Sequence, residues 1–181
     1  MRYLIYLFLF IQCGCVSTKK ELVPVKKQSK PNYEYYGKLA RQYRGTGLPD
    51  ADRPKTKTDM FEYEKRLNTQ LKKYPVSITR KDAQIYLTFP HEVIFDATVP
   101  EPAITPDAYF GVMADFVYVI QNHRNTFIEV KGYGNTWQQG QEMANAFAGY
   151  LCLRSVDTRR VTAAGYETMF GDYIEVVLTP L

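Results

Sequence analysis

The stretch Glu129–Leu151, EVKGYGNTWQQGQEMANAFAGYL, reads as a strand, a tight turn, a polar loop and a helix. A loop held between two regular elements is a common place for a ligand to sit. Tyr133, Asn135 and Trp137 can hydrogen-bond or stack there, whereas Met143 offers only apolar contact. After Lys131 the one carboxylate or cationic side chain in the stretch is Glu142. The rest of the chain is equally poor in reactive chemistry. Three cysteines and two separated histidines, His91 and His123, give no zinc spacing. Neither histidine lies in a recognisable Ser or Cys nucleophile motif, and no phosphate-binding loop occurs. Glu92 and Asp96 are close in sequence, but Asp96 reads as a backbone cap. No catalytic residue, metal or cofactor is expected, and the chain is not read as an enzyme.

The cysteine with a chemical role lies at the N-terminus, MRYLIYLFLFIQCGCVSTKK. Arg2 followed by the apolar run Tyr3–Ile11 suits a signal-peptide core; nine residues fall short of the ~20 that span a bilayer. Gly14-Cys15, a small residue before a cysteine, resembles a bacterial lipobox. Cleavage before Cys15 leaves its thiol to carry diacylglycerol and its amine to take a further acyl chain. Several chains at ~0.8 kcal/mol per buried methylene make a durable anchor. Gln12 and Cys13 depart from the usual pattern, so Cys13 stands as the alternative lipid site to Cys15. A plain secretory signal or a short buried helix is the other reading. Val16, rather than Asp, follows Cys15, which by resemblance to the enterobacterial sorting pattern implies the periplasmic face of the outer membrane. Once Cys13 and Cys15 are assigned, Cys152 is left alone between Leu151 and Leu153, as a buried helix residue.

Charge divides the chain. Residues 19–81 hold 17 Lys/Arg against 7 Asp/Glu, and residues 82–181 hold 5 against 12. A basic arm either meets an anionic surface or acts as a solvated tether. This one lacks a folded basic face with interleaved aromatics, so no nucleic-acid partner is expected. Residues 1–14 are read as the signal, 15–57 as a lipid-anchored basic tether, 58–81 as a short helix and connector, and 82–181 as the main domain. The 42 residues from 16 to 57 span roughly 35 Å as a coil and ~140 Å when stretched. Within the tether, YEYYGKLARQYR (Tyr33–Arg44) is more aromatic than a linker requires. It either orders against a partner or packs on its own domain.

Helix signals open with Thr58 or Asp59 as cap, and Met60, Tyr63, Leu67 and Leu71 form one stripe. QIYLTF is a strand and HEVIFDATVPEPAI an extended connection. Thr105 caps a helix with Pro106 at its first position, running to about Asn122. TFIEVKG, RRVTAAGYE and DYIEVVLTP are strands, and Thr136–Leu153 is the second main helix. Strands joined by helices imply an α+β domain with a mixed sheet and helices on one face.

These elements carry motifs of a known family. IFDATVPEPAITPDA resembles the "FD-x-(x)-SAxLTPEA" opening of OmpA-like C-terminal domains, also found in Pal-type lipoproteins. FIEVKGYGN is similar to their "I-x-V-x-G-H-T-D" turn, MANAFAGYL to "RAxxVxxYL", and SVDTRRVTAAGYET to "GVDxxRIxxxGYGE". The resemblance runs from about Gln84 to Leu178 and implies a βαβαββ sandwich fold. It also implies non-covalent binding of the diaminopimelate stem peptide of peptidoglycan, through an aspartate on the turn and an arginine on the helix. Charge-assisted pairs of that kind are the strong ones. Here Asn135 stands at the aspartate position and Met143 at the arginine position, with Tyr133 and Gly134 in place of histidine and threonine. Losing two such bonds, at about 1.5–3 kcal/mol each, costs a hundredfold or more in affinity. Two functions follow: a structural component of an envelope complex, or a wall-binding tether. Peptidoglycan binding is expected to be weak or absent, and the partners to be outer-membrane lipid and other envelope or secretion-complex proteins. Trp137 is either a ligand or partner contact or a plug between surface and core. In size and in its degenerate site, the chain resembles DotK/IcmN-type lipoproteins of Dot/Icm type IVB secretion systems.

Overall fold

The computed structural model describes residues 59–181; Cys13, Cys15, the signal segment and the tether to residue 57 lie outside them. Helix α1, Met60–Leu71, starts where Asp59 accepts hydrogen bonds from the Phe61 and Glu62 amides at 3.0 and 3.2 Å. That cap satisfies donors the first helical turn leaves open. The expected stripe Met60, Tyr63, Leu67 and Leu71 is buried, and it joins the core that underlies the whole sheet.

The connector expected before residue 82 contains a strand. Strand β1, Ser77–Lys81, pairs antiparallel with β2, Gln84–Pro90, around Asp82-Ala83. Asp82 takes a left-handed φ of 55°, which a short polar side chain tolerates. SITRK carries one apolar residue and is largely exposed, so its sequence gave no burial pattern to read. Two further expectations change. The segment after β2, expected to be extended, contains the short helix α2, His91–Ile94, and then a bridge between Phe95 and Ile104. The helix expected from Pro106 to about Asn122 is broken at Gly111 into α3, Pro106–Phe110, and α4, Val112–Gln121. Thr105 caps the first piece as expected, accepting from the Ala108 amide at 3.1 Å.

Strand β3, Thr126–Gly134, leads into helix α5, Trp137–Leu153, then a single 3-10 turn and β4, Val161–Glu167. Strand β5, Tyr173–Pro180, closes the chain. The sheet order is β1-β2-β5-β3-β4. β5 lies between β2 and β3 and is antiparallel to both, while β3 and β4 run parallel. The sheet is therefore mixed and open, and the α+β class expected from the sequence holds, with one strand added at the front.

One face of the sheet carries all the described helices. Ile85, Leu87, Phe89, Ile128, Val130 and Val176 point into a single core shared with α1, α4 and α5. Phe89 meets Phe116 and Phe147 at ring-centroid distances of 5.5 and 5.3 Å; burying each such ring contributes about 1.5–3 kcal/mol. At the lower end, the buried Arg160 donates to the carbonyls of Thr126 (2.7 Å) and His123 (2.9 Å), tying the start of β4 to the start of β3. Among the described residues no helix is long and apolar enough to cross a membrane.

If α1 is integral to the fold, Leu67→Ala will destabilise the domain by about 2–5 kcal/mol in urea denaturation. A change near zero would make α1 a detachable appendage.

Candidate functional site

The end of the sheet where β3 runs into α5 has a backbone constraint of its own. A Cβ on Gly132 would collide with the carbonyl of Gly140, and one on Gly165 with the backbone of Gln141. Gly140 in turn lies against the Tyr166 backbone. The first turns of α5 therefore rest directly on β3 and β4, with no side-chain layer between. Thr136 caps the helix by accepting from the Gln139 amide at 3.2 Å. The turn Asn135-Thr136 is thus held at the strand's end, and the β4–β5 loop joins it through a bond from the Thr168 amide to the Gly134 carbonyl, 2.9 Å.

Each candidate has a definite place. Asn135 is exposed at the tip of the turn. Its amide donates to Gln139 Oε1 at 3.1 Å, and Gln139 Nε2 donates to Asp172 Oδ2 at 2.7 Å. One glutamine thus bridges the turn and the β4–β5 loop. Two residues on, Gln141 ties the helix to β4, accepting from the Gly165 amide at 3.2 Å and donating to Asn145 in its own helix at 3.0 Å. Met143 is 0% exposed and belongs to the core with Phe147. Its position faces packing rather than solvent.

Tyr133 points to the sheet face away from the helices, stacked on Tyr173 at 4.5 Å and Tyr166 at 5.2 Å. Burial raises its phenol pKa, with the nearby Glu175 adding to the effect. Trp137 is 53% exposed, so it is not the plug between surface and core; it stands in solvent beside the turn. The structure thus brings Asn135 and Trp137 to one end, sends Tyr133 to the sheet face away from the helices and buries Met143.

The sequence reading missed the groups that organise this end. Gln139 and Asp172 hold the turn, and Met169 and Phe170, each 95% exposed, project from the β4–β5 loop. The run WQQGQ was the available signal, since polar amides beside a glycine can bond backbone. Gly171, at φ 92°, lets the loop reverse into β5. An open depression of about 580 Å³ lies here, lined by Thr88, His91, Glu92, Asn135, Phe170 and Asp172 among others. Asp172 Oδ1 is shielded from solvent and has no partner.

Elsewhere the chemistry is quiet. Asp96 accepts from the Thr98 hydroxyl and amide at 2.6 and 2.9 Å, and those bonds hold its carboxyl below the usual range. Cys152 is half-buried, and burial pushes its thiol up to about 12; such a thiol stays protonated and unreactive at neutral pH. Among the described residues no three His, Cys, Asp or Glu side chains are grouped to hold a metal.

Gln139→Ala removes both bonds of the bridge. We expect a loss of about 1–3 kcal/mol in stability and faster hydrogen exchange at the Asn135 amide by NMR, with the core amides of β5 unchanged.

No family model matches the sequence, and a search of curated proteins returns no significant match. Solved structures do match. A MotB-like protein from Desulfovibrio vulgaris aligns with 67% of this chain and 91% of its own, at 16% identity and a TM-score of 0.58. The cell wall anchor of the type VI secretion system from Pseudomonas aeruginosa aligns with 66% of this chain and 97% of its own, at 12% identity and 0.57. The periplasmic domain of Helicobacter pylori MotB aligns with 58% of this chain and 82% of its own, at 13% identity and 0.53. At these identities the likeness is one of fold alone.

Proposed function

We propose that this chain is an outer-membrane lipoprotein, anchored through acylated Cys15, whose degenerate OmpA-like domain is a structural component of an envelope complex. The finer reading is a type IVB secretion system core, in a DotK/IcmN-type role. The proposal includes no catalysis and no cofactor. The observation that carries it is the absence of both family charges from the turn and from the helix beside it. Where the family pattern places an aspartate and an arginine, this chain has an asparagine held by Gln139 and a methionine sealed in the core. Trp137, Met169 and Phe170 stand exposed around that end, and large apolar groups in solvent mark contact surfaces for other proteins. The neighbours lend support in kind: one is named as a cell wall anchor of a secretion system, and another as a periplasmic domain of MotB.

The second reading, a tether to peptidoglycan, draws on Asp172. Its unpartnered oxygen lies in a depression shared with Asn135 and supplies a carboxylate near the position the family uses. A single carboxylate without the guanidinium leaves half of a zwitterionic ligand unmatched.

Two measurements test the proposal. The purified chain is expected to sediment little with isolated peptidoglycan sacculi. Clear co-sedimentation abolished by Asn135→Ala would overturn the structural reading in favour of the tether. In cells fed an alkyne-labelled palmitate, the wild-type chain is expected to take up label and Cys15→Ala to lose it. Label retained by Cys15→Ala and lost by Cys13→Ala would move the anchor to Cys13.

A further inference from the structure

The sheet face turned away from the helices is more enclosed than its neighbours explain. The strand registers lay its side chains out in rows. Tyr86, Val177, Glu129 and Thr162 form one row, Thr88, Glu175, Lys131 and Ala164 the next, and Pro90, Tyr173, Tyr133 and Tyr166 the third. No described helix packs on this side, because the buried helix residues join a core whose strand members point the other way. Yet Val177 is 2% exposed, Ala164 is buried, and neither belongs to that core. Thr162 is also 2% exposed, although it stands on the edge strand β4 with a sheet neighbour on one side only. An uncovered edge residue of that size keeps far more of its surface in water.

We infer that this face is the docking surface for the chain's own aromatic segment, Tyr33–Arg44. The chemistry of the two surfaces matches. The face presents the Tyr133–Tyr166–Tyr173 stack at one end, with Glu129 and Glu175 around Lys131, and Lys81 at the β1 edge. The segment YEYYGKLARQYR carries four tyrosines, and Lys38, Arg41 and Arg44 against Glu34. Tyrosine-rich surfaces stack and interlock at low entropic cost, and the segment's cations have Glu129 and Glu175 to meet on the face. The chain length suffices. The fourteen residues from 45 to 58 reach ~45 Å at ~3.3 Å each. Crossing the sheet takes roughly 19 Å, from four strand spacings of about 4.8 Å.

The test uses the full chain in detergent, with the photocrosslinker benzoyl-phenylalanine placed at Thr162. A second probe sits at Glu129, in the same row, to guard against local disruption of the edge strand. A control probe sits at Tyr118, exposed on the helix side. Peptides crosslinked within the monomer are identified by mass spectrometry. Both face probes are expected to capture residues 33–44, and the control to capture none of them. Replacing Tyr33, Tyr35, Tyr36 and Tyr43 with serine is expected to cut the yield at least tenfold, with the melting midpoint of the domain preserved. The inference is overturned if the face probes capture a second copy, another part of the chain or nothing, or if the four-serine chain crosslinks at the original yield.

Discussion

The contact on which the rest of the site depends is the bare backbone approach of α5 to β3 and β4. Gly132, Gly140 and Gly165 leave no room for a single added methyl group, so the helix begins at one height and one angle above the strand ends. That geometry decides what each following residue can do. Thr136 falls at the cap, Trp137 points outward, and Gln139 and Gln141 lie within reach of backbone amides on the turn and on β4. Two turns along, Met143 and Phe147 are driven into the core. A helix so closely seated has little freedom to tilt, and the polar groups at its start are fixed as firmly as the apolar groups further on.

Much of this was legible in the sequence, for reasons that differ by element. The stripe of α1, the alternation of β3 and the Thr-Pro start of α3 are local patterns, each set by a period or a cap that the chain states in adjacent residues. Strand β1 was not legible because it is an edge strand with almost nothing to bury. It exists through its pairing with β2, which is information held by the partner. The break at Gly111 was hidden for a related reason: its ψ of −108° leaves no local pattern, and only the tertiary surroundings show that a Cβ there would meet the Asp107 carbonyl. At the site, the loss of charge at 135 and 143 could be read by position. The bridge from Asn135 through Gln139 to Asp172 joins residues 37 apart in sequence and could not be read that way.

Trp137 illustrates how solvent decides a role. An indole at the start of a helix can either plug the core or stand clear, and the sequence is the same in both cases. Here the ring stands clear, with half its surface in water. Met169 and Phe170 stand exposed on the loop that Gly171 reverses. The apolar character of this end thus gives a partner preformed groups to contact at little ordering cost.

The neutral turn is also self-consistent in a way that a list of substitutions does not convey. Asp172 and the tip of the turn share one amide, that of Gln139, and Asp172 already keeps one oxygen out of solvent without a partner. A second carboxylate at position 135 would stand beside it, and like charges at one site disfavour each other's ionisation. An arginine at 143 meets the opposite difficulty. Its first carbons would lie in a sealed layer beside Phe147, and the guanidinium would need a path out that the packed turns above do not leave open; a charge trapped there unpaired is strongly destabilising. The bond to Gln139 comes from the backbone amide of residue 135, so a carboxylate there would keep that bond and change only the charge balance beside Asp172. The asparagine, the methionine, the bridging glutamine and the displaced aspartate form one arrangement, in which the helix start is secured by neutral bonds to its own chain rather than by a ligand.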